Sequence, residues 1–399
     1  MTTSKIHNSI VIGAGAAGLF FGASPDSSQG GIILEGNGLS GRKLLMSGGG
    51  QCNITHSGSV KDFVSCYNTG KIRSCLYRFN NDRLRDFLKS GGVNTAVRED
   101  GKVFPESMKA EDVLNMLLGL CEKNGFSVMT SHKVTGISRE PSGLWQVTCG
   151  SRQFTGRNVI IACGGCSYPS TGSDGSIFRI LREDPGLEIT RIRPALVPVA
   201  VRDYPFEELA GISFPEAHVR ILEAPSGKVR AESRGPLLLT HRDFSGPAVL
   251  NISKYGESGD MLEINYTGKT HEEIRSRLND VRRGSRKSMA SDISDAFELP
   301  ARFCKILEAG CGSSVNRISK TLCSDTYTIK DGAGFGRAMV TSGGVSLSEL
   351  DTKTFRCKKH KGLYVIGESC DVDGVTGGYN LQFAFSSAFA AAEAIRASD

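Results

Sequence analysis

The chain has 399 residues, a formal net charge of +6, and 39% hydrophobic against 23% charged residues. These values predict a folded globular protein with one large domain and an insert or second domain, and so mild a charge gives no strong sign of a nucleic-acid partner. The twelve cysteines follow no regular spacing, which argues against a disulfide scaffold and for a reducing cytoplasm, and the lack of any run of 18 apolar residues predicts no transmembrane helix.

The first part of the chain alternates short apolar strands with helices. A strand at 9–12 enters a glycine-rich turn and a helix that ends near residue 23, and a second strand follows at 32–35. The later elements of this part are, in order, a helix at 81–90, a hairpin at 96–105, a helix at 110–124, and strands at 126–129, 133–138, 145–149 and 158–162.

The character of the sequence changes near residue 194. Strands are predicted at 197–201, 217–222 and 235–240, and helices at 271–281, 293–297 and 302–307. Glycine-flanked strands return at 340–345 and 362–367, and a last helix is predicted at 380–396. The first and last parts of the chain therefore resemble one nucleotide-binding domain that is interrupted by an insert.

The first motif is a glycine turn between a strand and a helix. The strand at 9–12 runs into Gly13-Ala-Gly-Ala-Ala-Gly18, and the acidic Glu35 ends the second strand. In a dinucleotide-binding turn, the first glycine permits the tight bend, the second lets a pyrophosphate approach, and the third lets helix and strand pack closely. The phosphates lie on the helix N-terminus and the acid binds a ribose. This motif predicts a dinucleotide site but does not separate FAD from NAD.

A second glycine cluster occurs at 41–55, with the sequence GRKLLMSGGGQCNIT. Arg42 or Lys43 is expected near phosphate charge. The segment Ser47-Gly-Gly-Gly50 would let bare backbone lie against a planar ring and offer it amide groups. A flexible loop is the alternative, and the absence of charge and proline from the triplet counts against it.

A third glycine segment lies near the end of the chain. The strand at 362–367 ends in Gly367-Glu368, and Gly377-Gly378 precedes the last helix. Glu368 would bind a sugar hydroxyl, and the two glycines would present amides to phosphate or to the flavin edge at the helix start. Because an NAD dehydrogenase does not need this returning segment, the third motif favours FAD as the cofactor.

With these motifs the chain resembles the HI0933-like FAD-binding flavoprotein family, which includes BaiN-type flavin reductases and aminoacetone-oxidase-like enzymes. The segments that carry the resemblance read VIGAGAAGL, GRKLLMSGGGQCNITH, IIACGGCSYPSTGSDG, LLLTHRDFSGPAVLNIS, AMVTSGGVSL and GLYVIGESCDVDGVTGGYNLQFAFSSA. The resemblance implies an α/β fold with a Rossmann-like FAD-binding domain of the two-dinucleotide-fold type at 1–193 and 336–399. The insert at 194–335 is expected to be a β-barrel-like and then helical domain on the substrate side.

Cofactor contacts are predicted along the whole chain. The motifs, with the resemblance, supply Gly13, Gly15, Ala16, Ala17, Gly18, Glu35, Arg42, Lys43, Ser47, Gly48, Gly49, Gly50, Gly164, Gly367, Glu368, Gly377 and Gly378. The resemblance alone implies Val134, Asn380, Leu381 and Gln382. Gln51 stands where the family usually has an arginine, and this difference removes a fixed cation near the flavin ring.

The sequence does not identify a catalytic acid or base. Tyr379 and Asn380 are candidates, and Cys52 and His241 are expected to be hydrogen-bonding or packing residues. Cys163-Gly-Gly-Cys166 has the spacing of a redox pair, but small side chains packed beside a turn are the favoured interpretation. No metal site is predicted.

The leading functional hypothesis is an FAD-dependent oxidoreductase that acts on a small molecule. NADH or NADPH would bind transiently and reduce FAD, which would then reduce a C=C or carbonyl acceptor. BaiN-type relatives imply steroid-like enones as acceptors, whereas the aminoacetone-oxidase resemblance implies an amine oxidase that uses oxygen. A flavin-dependent RNA-modifying or RNA-binding protein is a third alternative, based on the basic cluster at 275–287, although a solvated helix face is the favoured interpretation of that cluster. The oligomeric state stays open.

Overall fold

The structure is a computed structural model that describes residues 5–27, 29–330 and 334–398. Residues 331–333, which belong to the predicted insert, lie outside the described residues. The chain forms two compact units, of which the first runs up to Pro194 and resumes at Met339, and the second is Ala195–Ala338. The first unit therefore contains both ends of the chain.

The described residues form the following strands and helices. In chain order the strands are β1 (Ile6–Ile12), β2 (Gly31–Leu34), β3 (Thr55–His56), β4 (Thr95–Val97), β5 (Lys102–Pro105), β6 (Phe126–Met129), β7 (Gly136–Arg139), β8 (Trp145–Cys149), β9 (Arg152–Ile161), β10 (Arg193–Ala195), β11 (Ser213–Leu222), β12 (Val229–Leu239), β13 (Phe244–Ser245), β14 (Met261–Asn265), β15 (Asp325–Thr328), β16 (Val340–Ser342), β17 (Leu350–Asp351), β18 (Arg356–Cys357) and β19 (Leu363–Val365). The helices are α1 (Ala16–Ala23), α2 (Arg42–Met46), α3 (Val60–Val64), α4 (Arg73–Arg78), α5 (Asn81–Ser90), α6 (Ala110–Lys123), α7 (Ser176–Glu183), α8 (Pro247–Leu250), α9 (His271–Arg282), α10 (Met289–Phe297), α11 (Ala301–Cys311), α12 (Val315–Cys323) and α13 (Tyr379–Arg396).

A parallel sheet forms the centre of the first unit. Its strands lie in the order β6-β2-β1-β9-β19, and each neighbouring pair is parallel. Ile10 pairs with Ile32 on one side and with Val159 on the other. The stretches 10–12, 32–34 and 159–161 are continuous, buried apolar runs, as expected for parallel strands that are covered on both faces. The order of the strands matches the Rossmann-like α/β fold that the sequence predicts.

Antiparallel strands extend this sheet and form a second, smaller one. Strands β18 and β17 follow β19 at one edge, and the hairpin β7–β8 joins through β9. The separate sheet β3-β5-β4 is antiparallel.

The first helix and the last helix of the chain pack against each other beside the central sheet. Phe20 of α1 lies 5.0 Å from Phe385 of α13 and 5.2 Å from Phe79, measured between ring centroids. Small side chains such as Ala388 and Ala391 are fully buried along α13, which lets the helix approach its neighbours closely. The C-terminal segment is thereby fixed next to the N-terminal turn.

The second unit contains a barrel-like sheet followed by helices α9–α12. Its sheet has the order β13-β12-β11-β14-β15. Residues 199–202 close this sheet, because Val199 bridges Phe244 at one edge and Val201 bridges Ile329 at the other. The interior is apolar, and Phe303 of α11 contacts Phe214 at 4.8 Å between ring centroids.

The prediction of a regular strand at 197–201 is wrong. Its residues make isolated bridges to the two sheet edges instead of a ladder with one neighbour. Leu196 has a φ of +51°, so the chain turns directly before the bridging residues. The segment closes the barrel, which explains its apolar pattern without a strand partner of its own. Helix α12 and strand β14 were not predicted.

Candidate cofactor site

The turn between β1 and α1 uses its three glycines for three different purposes. A Cβ on Gly13, whose φ is +105°, would lie 2.5 Å from the carbonyl oxygen of Ala162. A Cβ on Gly18 would lie 1.9 Å from the carbonyl oxygen of Gly13. By contrast, no atom lies within 4 Å of the place where Gly15 would carry a Cβ. Gly13 and Gly18 thus permit the tight turn and the helix packing, and Gly15 leaves the open space that a pyrophosphate requires.

Glu35 follows β2 and is held beside this turn by backbone amides. One carboxylate oxygen accepts from the amide of Ala14 at 2.9 Å, and the other accepts from the backbone amide of Asn37 at 2.9 Å and from its side chain at 2.8 Å. Arg42, which is exposed, donates to Asn37 at 3.3 Å. The predicted ribose acid and the predicted phosphate cation are therefore brought together at one end of the turn.

Val134 also lies next to the Glu35 strand end. The amide of His132 donates to the carbonyl of Glu35 at 2.7 Å, and the amide of Ser131 donates to the carbonyl of Asn37 at 2.8 Å. Neither the amide nor the carbonyl of Val134 has a hydrogen-bond partner within the described part of the chain. A backbone donor and acceptor left free at one residue are what the edge of an adenine ring can use.

The returning C-terminal segment touches the N-terminal turn directly. A Cβ on Gly367, whose φ is +62°, would lie 2.8 Å from the Cβ of Ala17. The missing Cβ of Gly164 would lie 3.8 Å from a carboxylate oxygen of Glu368. The structure therefore brings together Ala17, Gly164, Gly367 and Glu368, which the sequence placed in one cofactor site.

Glu368 is the centre of a half-buried ionic network. Lys43 lies 2.5 Å from one carboxylate oxygen and also contacts the hydroxyl of Ser167. The other oxygen accepts from Ser167 Oγ at 2.7 Å and from the amide of Thr341 at 2.8 Å. Burial raises the pKa of the Glu368 carboxyl, but the Lys43 charge and these hydrogen bonds outweigh burial and hold the pKa below its ordinary value of 4.5. Ser167 and Thr341 were not identified from the sequence.

The glycine triplet after α2 has an unusual backbone. Gly48, Gly49 and Gly50 have φ values of +57°, +67° and +88°, a run of left-handed conformations that residues with a Cβ rarely adopt. A Cβ on Gly48 would lie 2.8 Å from the amide nitrogen of Asn53, whereas Gly49 faces open space. Ser47 closes the preceding helix by donating to the carbonyl of Leu44 at 2.6 Å. The triplet is a formed turn with exposed backbone.

The second C-terminal glycine pair lies against the same segment of chain. A Cβ on Gly378, whose φ is +95°, would lie 2.5 Å from the carbonyl oxygen of Thr55. A Cβ on Gly377 would lie 3.4 Å from the ring of His56. Residues 53–56, which include β3, therefore contact both the Gly48 turn and the start of α13. Backbone amides at 379–381 have no partner inside α13, as at every helix N-terminus.

The side chains at the start of α13 hold the protein together. Asn380 accepts from the amide of Gly374 at 2.8 Å and donates to its carbonyl at 3.0 Å. Gln382 is fully buried, accepts from Thr55 Oγ1 at 2.6 Å and donates to the carbonyl of Phe79 at 3.0 Å. Cofactor contacts at this helix start would therefore come from the backbone amides of Asn380 and of the half-buried Leu381, since the amide of Gln382 already donates to the carbonyl of Gly378 at 3.0 Å.

Tyr379 packs in an aromatic group and is a weak acid. Its ring is stacked on His56 with centroids 5.3 Å apart, and Phe63 and Tyr67 contact it edge-on. Burial, followed by contact with Cys66, raises the pKa of the Tyr379 hydroxyl above its ordinary value. These contacts are those of a neutral packing and hydrogen-bonding residue.

The cysteines near the site are not poised as nucleophiles. Burial raises the pKa of Cys52 and of Cys163 to about 12, and it also raises the pKa of Cys166. Because the thiolate is the reactive form, these thiols are poor nucleophiles at neutral pH. His241 is exposed in the second unit. No group of side chains in the described residues has the arrangement of a metal site, and no helix there is long and apolar enough to cross a membrane.

The Gly13–Gly18 turn follows β1 and Gly367 follows β19, and both strands belong to the same parallel sheet. This arrangement is that of an FAD-binding Rossmann-type domain. The chain belongs to the HI0933-like protein Rossmann domain family, whose pattern matches residues 7–394. The predicted family and fold class are confirmed, and the protein is by class an FAD-dependent oxidoreductase. The open space at Gly15, the turn-facing carboxylate of Glu35 and the free backbone groups of Val134 fit such a cofactor.

Full-length relatives come from several bacteria. The chain is 32% identical over 401 residues to a ribosomal RNA dihydrouridine synthase of Escherichia coli, with 97% of both chains covered. It is 32% identical over 409 residues to the protein of the same name in Haemophilus influenzae, covering 98% of this chain and 99% of the relative. It is 27% identical over 409 residues to a 3-dehydro-bile acid delta(4,6)-reductase of Clostridium scindens, covering 96% and 98%.

Solved structures with a similar fold include steroid dehydrogenases. The 3-ketosteroid delta1-dehydrogenase of Sterolibacterium denitrificans matches with a TM-score of 0.54 at 12% identity, covering 99% of this chain and 100% of that one. The 3-ketosteroid-delta4-(5alpha)-dehydrogenase of Rhodococcus jostii matches with a TM-score of 0.51 at 13% identity, covering 99% and 98%. At such low identity the two structures show the fold alone.

Replacing Gly15 with alanine should weaken FAD binding without harming the fold. The open space at Gly15 accepts a methyl group in the free protein, but the methyl would overpack a bound pyrophosphate at a cost of about 1–3 kcal/mol. We expect the Kd for FAD to rise roughly five- to 150-fold, measured by titrating apoprotein. Gly119→Ala is the control, because Gly119 also faces open space but lies on α6. Equal FAD affinity in both variants would contradict the role of Gly15.

Replacing Lys43 with methionine should reverse the effect of Glu368 on stability. Ionised Glu368 stabilises the wild-type fold but should destabilise the fold of the variant. The wild-type carboxyl has a lowered pKa, so its stabilisation is present above 4.5 and is lost as pH falls through the folded-state value. Without the Lys43 charge, burial dominates and the pKa rises above 4.5, so ionisation at neutral pH destabilises the variant. The Tm deficit of Lys43→Met apoprotein should be largest near neutral pH and should shrink on acidification.

Lys133→Met is the matched control for this experiment. Lys133 pairs with Asp174 at 2.6 Å, but the two side chains are 59% and 36% exposed, and exposed ion pairs contribute little. A pH-independent deficit in Lys43→Met, or an equal deficit in Lys133→Met, would show that Glu368 does not depend on Lys43.

Proposed function

We propose that the protein is an NAD(P)H-dependent reductase that transfers hydride through FAD to a carbon–carbon double bond conjugated with a carbonyl group. FAD, when bound, supplies the redox chemistry, and NADH or NADPH is the transient reductant. The single observation that supports this proposal most strongly is the full-length identity of 32% to two relatives that are named as dihydrouridine synthases.

The names of the three relatives describe reactions on the same kind of bond. Making dihydrouridine from uridine saturates the C5=C6 bond, which is conjugated with the C4 carbonyl. A delta(4,6)-reductase that acts on a 3-dehydro-bile acid reduces double bonds conjugated with the 3-keto group. The shared chemistry is reduction of a C=C bond whose electrons are withdrawn by a carbonyl, which fits the predicted enone-type acceptor. None of these three relatives carries an oxidase name, so the amine oxidase remains the weaker alternative.

For the acceptor, we favour a uracil base in ribosomal RNA over a steroid-like enone, because the two RNA-named relatives have the higher identity. The basic cluster of the second unit has charge available for such a partner. Arg275 and Arg286 are exposed and have no ion-pair partner in the described part of the chain. However, Arg282 is held by the buried Asp292 at 2.7 Å. This acceptor reverses the weight that the sequence alone gave to a small molecule and to RNA.

We propose that the predicted cofactor contacts lie in the first unit. The pyrophosphate would lie at Gly15 and the first amides of α1, including those of Ala16 and Ala17, and Glu35 would bind the ribose. Val134 would contact adenine through its backbone. The flavin half and the phosphates would be held by the remaining predicted contacts, which are Arg42, Lys43, Ser47, Gly48, Gly49, Gly50, Gly164, Gly367, Glu368, Gly377, Gly378, Asn380, Leu381 and Gln382.

The protein's own residues would position the reactants and exclude water. The formed turn at 48–50 would present backbone amides to the flavin, and the neutral Tyr379 would pack at the edge of the site without taking a proton. We also propose that residues 194–335 form the substrate-side domain and residues 1–193 and 336–399 the cofactor domain, and that the protein works in the cytoplasm.

Anaerobic mixing with NADPH or NADH tests this function. We expect the absorbance of oxidised flavin to be lost and then restored when unmodified ribosomal RNA is added, with a gain of two hydrogens on uridine detected by mass spectrometry. A 4,6-dien-3-one steroid and a small primary amine serve as competing probes. If neither nicotinamide reduces the flavin while the amine does, and oxygen restores the absorbance, the oxidase alternative replaces the reductase.

The dependence on salt separates the two acceptors. Reaction with RNA should weaken steeply as salt concentration rises, because contacts with phosphates release counterions. Reaction with an uncharged steroid should not weaken in this way, because no phosphate is contacted. Reoxidation by the steroid alone would retain the C=C reductase and overturn the RNA acceptor.

A further inference from the structure

Arg98 lies at the tip of the β4–β5 hairpin and has a fixed backbone. Its amide donates to the carbonyl of Lys102 at 2.9 Å, and its carbonyl accepts from the amide of Gly101 at 2.9 Å. The side chain is exposed, so the hairpin does not need it for its core. The position of the guanidinium is nevertheless well defined, because it contacts the side chains of Phe104, Gln51 and Met108.

The guanidinium is held next to the Gly48–Gly50 turn. Its central carbon lies 4.0 Å from the ring centroid of Phe104, and Nη2 donates to Oε1 of Gln51 at 2.6 Å. The ring of Phe104 in turn packs against the turn, since a Cβ on Gly48 would lie 3.2 Å from it. Gln51 directly follows Gly50. An aromatic face and a side-chain amide therefore set one positive charge beside the exposed glycine backbone.

This charge has no acidic partner. No carboxylate of the described residues lies within ion-pair distance of Arg98, although Lys102 on the same hairpin pairs with Asp100 at 2.5 Å. Arg98 donates instead through Nη2 to neutral groups, to Gln51 Oε1 and to the sulfur of Met108 at 3.7 Å, and its Nε and Nη1 have no acceptor among the described residues. A cation that is stacked and oriented beside an open turn, without a direct ion pair, is arranged for a ligand that carries negative charge.

We propose that Arg98 supplies the positive charge that stabilises the reduced flavin at the Gly48–Gly50 turn, with Gln51 as its positioning residue. The inference rests on the proposed function. Hydride transfer from NADH or NADPH moves two electrons and one proton to the oxidised flavin, and it leaves NAD(P)⁺ and a reduced ring with one negative charge. A cation near the ring nitrogens favours this reduced form and raises its reduction potential. Arg98 thus provides across the hairpin the charge that position 51 lacks.

The midpoint potential of bound FAD tests the proposal. We expect Arg98→Gln to lower the ratio of reduced to oxidised FAD at a fixed poise about tenfold, which is a shift of about 30 mV for a two-electron couple. Arg98→Lys keeps the charge and should stay within about threefold of the wild type. Arg139→Gln is the matched control, because Arg139 also stacks on an aromatic ring, at 5.8 Å from Trp145, but belongs to β7.

Reduction should be driven with a dye couple that needs neither NADH nor NADPH. The potential can then be measured even if the proposed reductant is wrong, so the two failures are distinguishable. The proposal is overturned if the Arg98→Gln protein binds FAD and its ratio of reduced to oxidised FAD at a fixed poise stays within about twofold of the wild-type ratio. If Arg98→Gln does not hold FAD, restoration of both affinity and potential by Arg98→Lys supports it, and lack of restoration overturns it.

Discussion

The contact between Gly367 and Ala17 joins the two ends of the chain, and the cofactor site depends on it. A side chain at residue 367 would collide with the first helix at 2.8 Å. Because the contact is this close, the last parallel strand, β19, delivers Glu368 next to the N-terminal turn. The same close approach sets the start of α13 beside the β3 segment. The absence of a side chain at Gly367 and Gly378 therefore lets Glu368 and the start of α13 lie next to the N-terminal segments.

The ionic network at Glu368 follows from this placement. The half-buried carboxylate would be costly to leave alone, since burial penalises the charged form. Lys43 from the second glycine motif and Ser167 from the turn after β9 balance it. With the amide of Thr341, four separate segments of the chain meet at one carboxylate before any cofactor binds. When FAD is bound, Lys43 would have to divide its charge between Glu368 and a phosphate.

Much of the fold could be predicted from the sequence because its signals are local. The strand, glycine turn and helix at 9–23 and the helix at 81–90 are set by apolar pattern and glycine spacing, and α5 occupies the predicted residues. The segment 197–201 was misjudged because its partners, Phe244 and Ile329, are distant in sequence. Strand β14 was missed because a short alternating run such as MLEIN gives a weak signal.

The backbone geometry of the glycine turns was predictable from the sequence, whereas the side-chain contacts that are made across the fold were not. Gly13, Gly15 and Gly18 have the geometry that their spacing predicts. Ser167, Thr341 and Arg98 could not be found, since each acquires its role from a partner that only the folded chain brings near. Gln382 was predicted to contact the cofactor, but its buried side chain already forms hydrogen bonds with Thr55 and Phe79.

The preference of the apoprotein for FAD over FMN tests most directly whether both chain ends grip a dinucleotide. FMN carries the same flavin ring but lacks the adenosine and the second phosphate, which the Gly13–Gly18 turn and Glu35 would bind. Titration followed by flavin fluorescence should give a Kd for FAD on the order of a hundredfold lower than for FMN. Equal affinity for FAD and FMN would contradict the account.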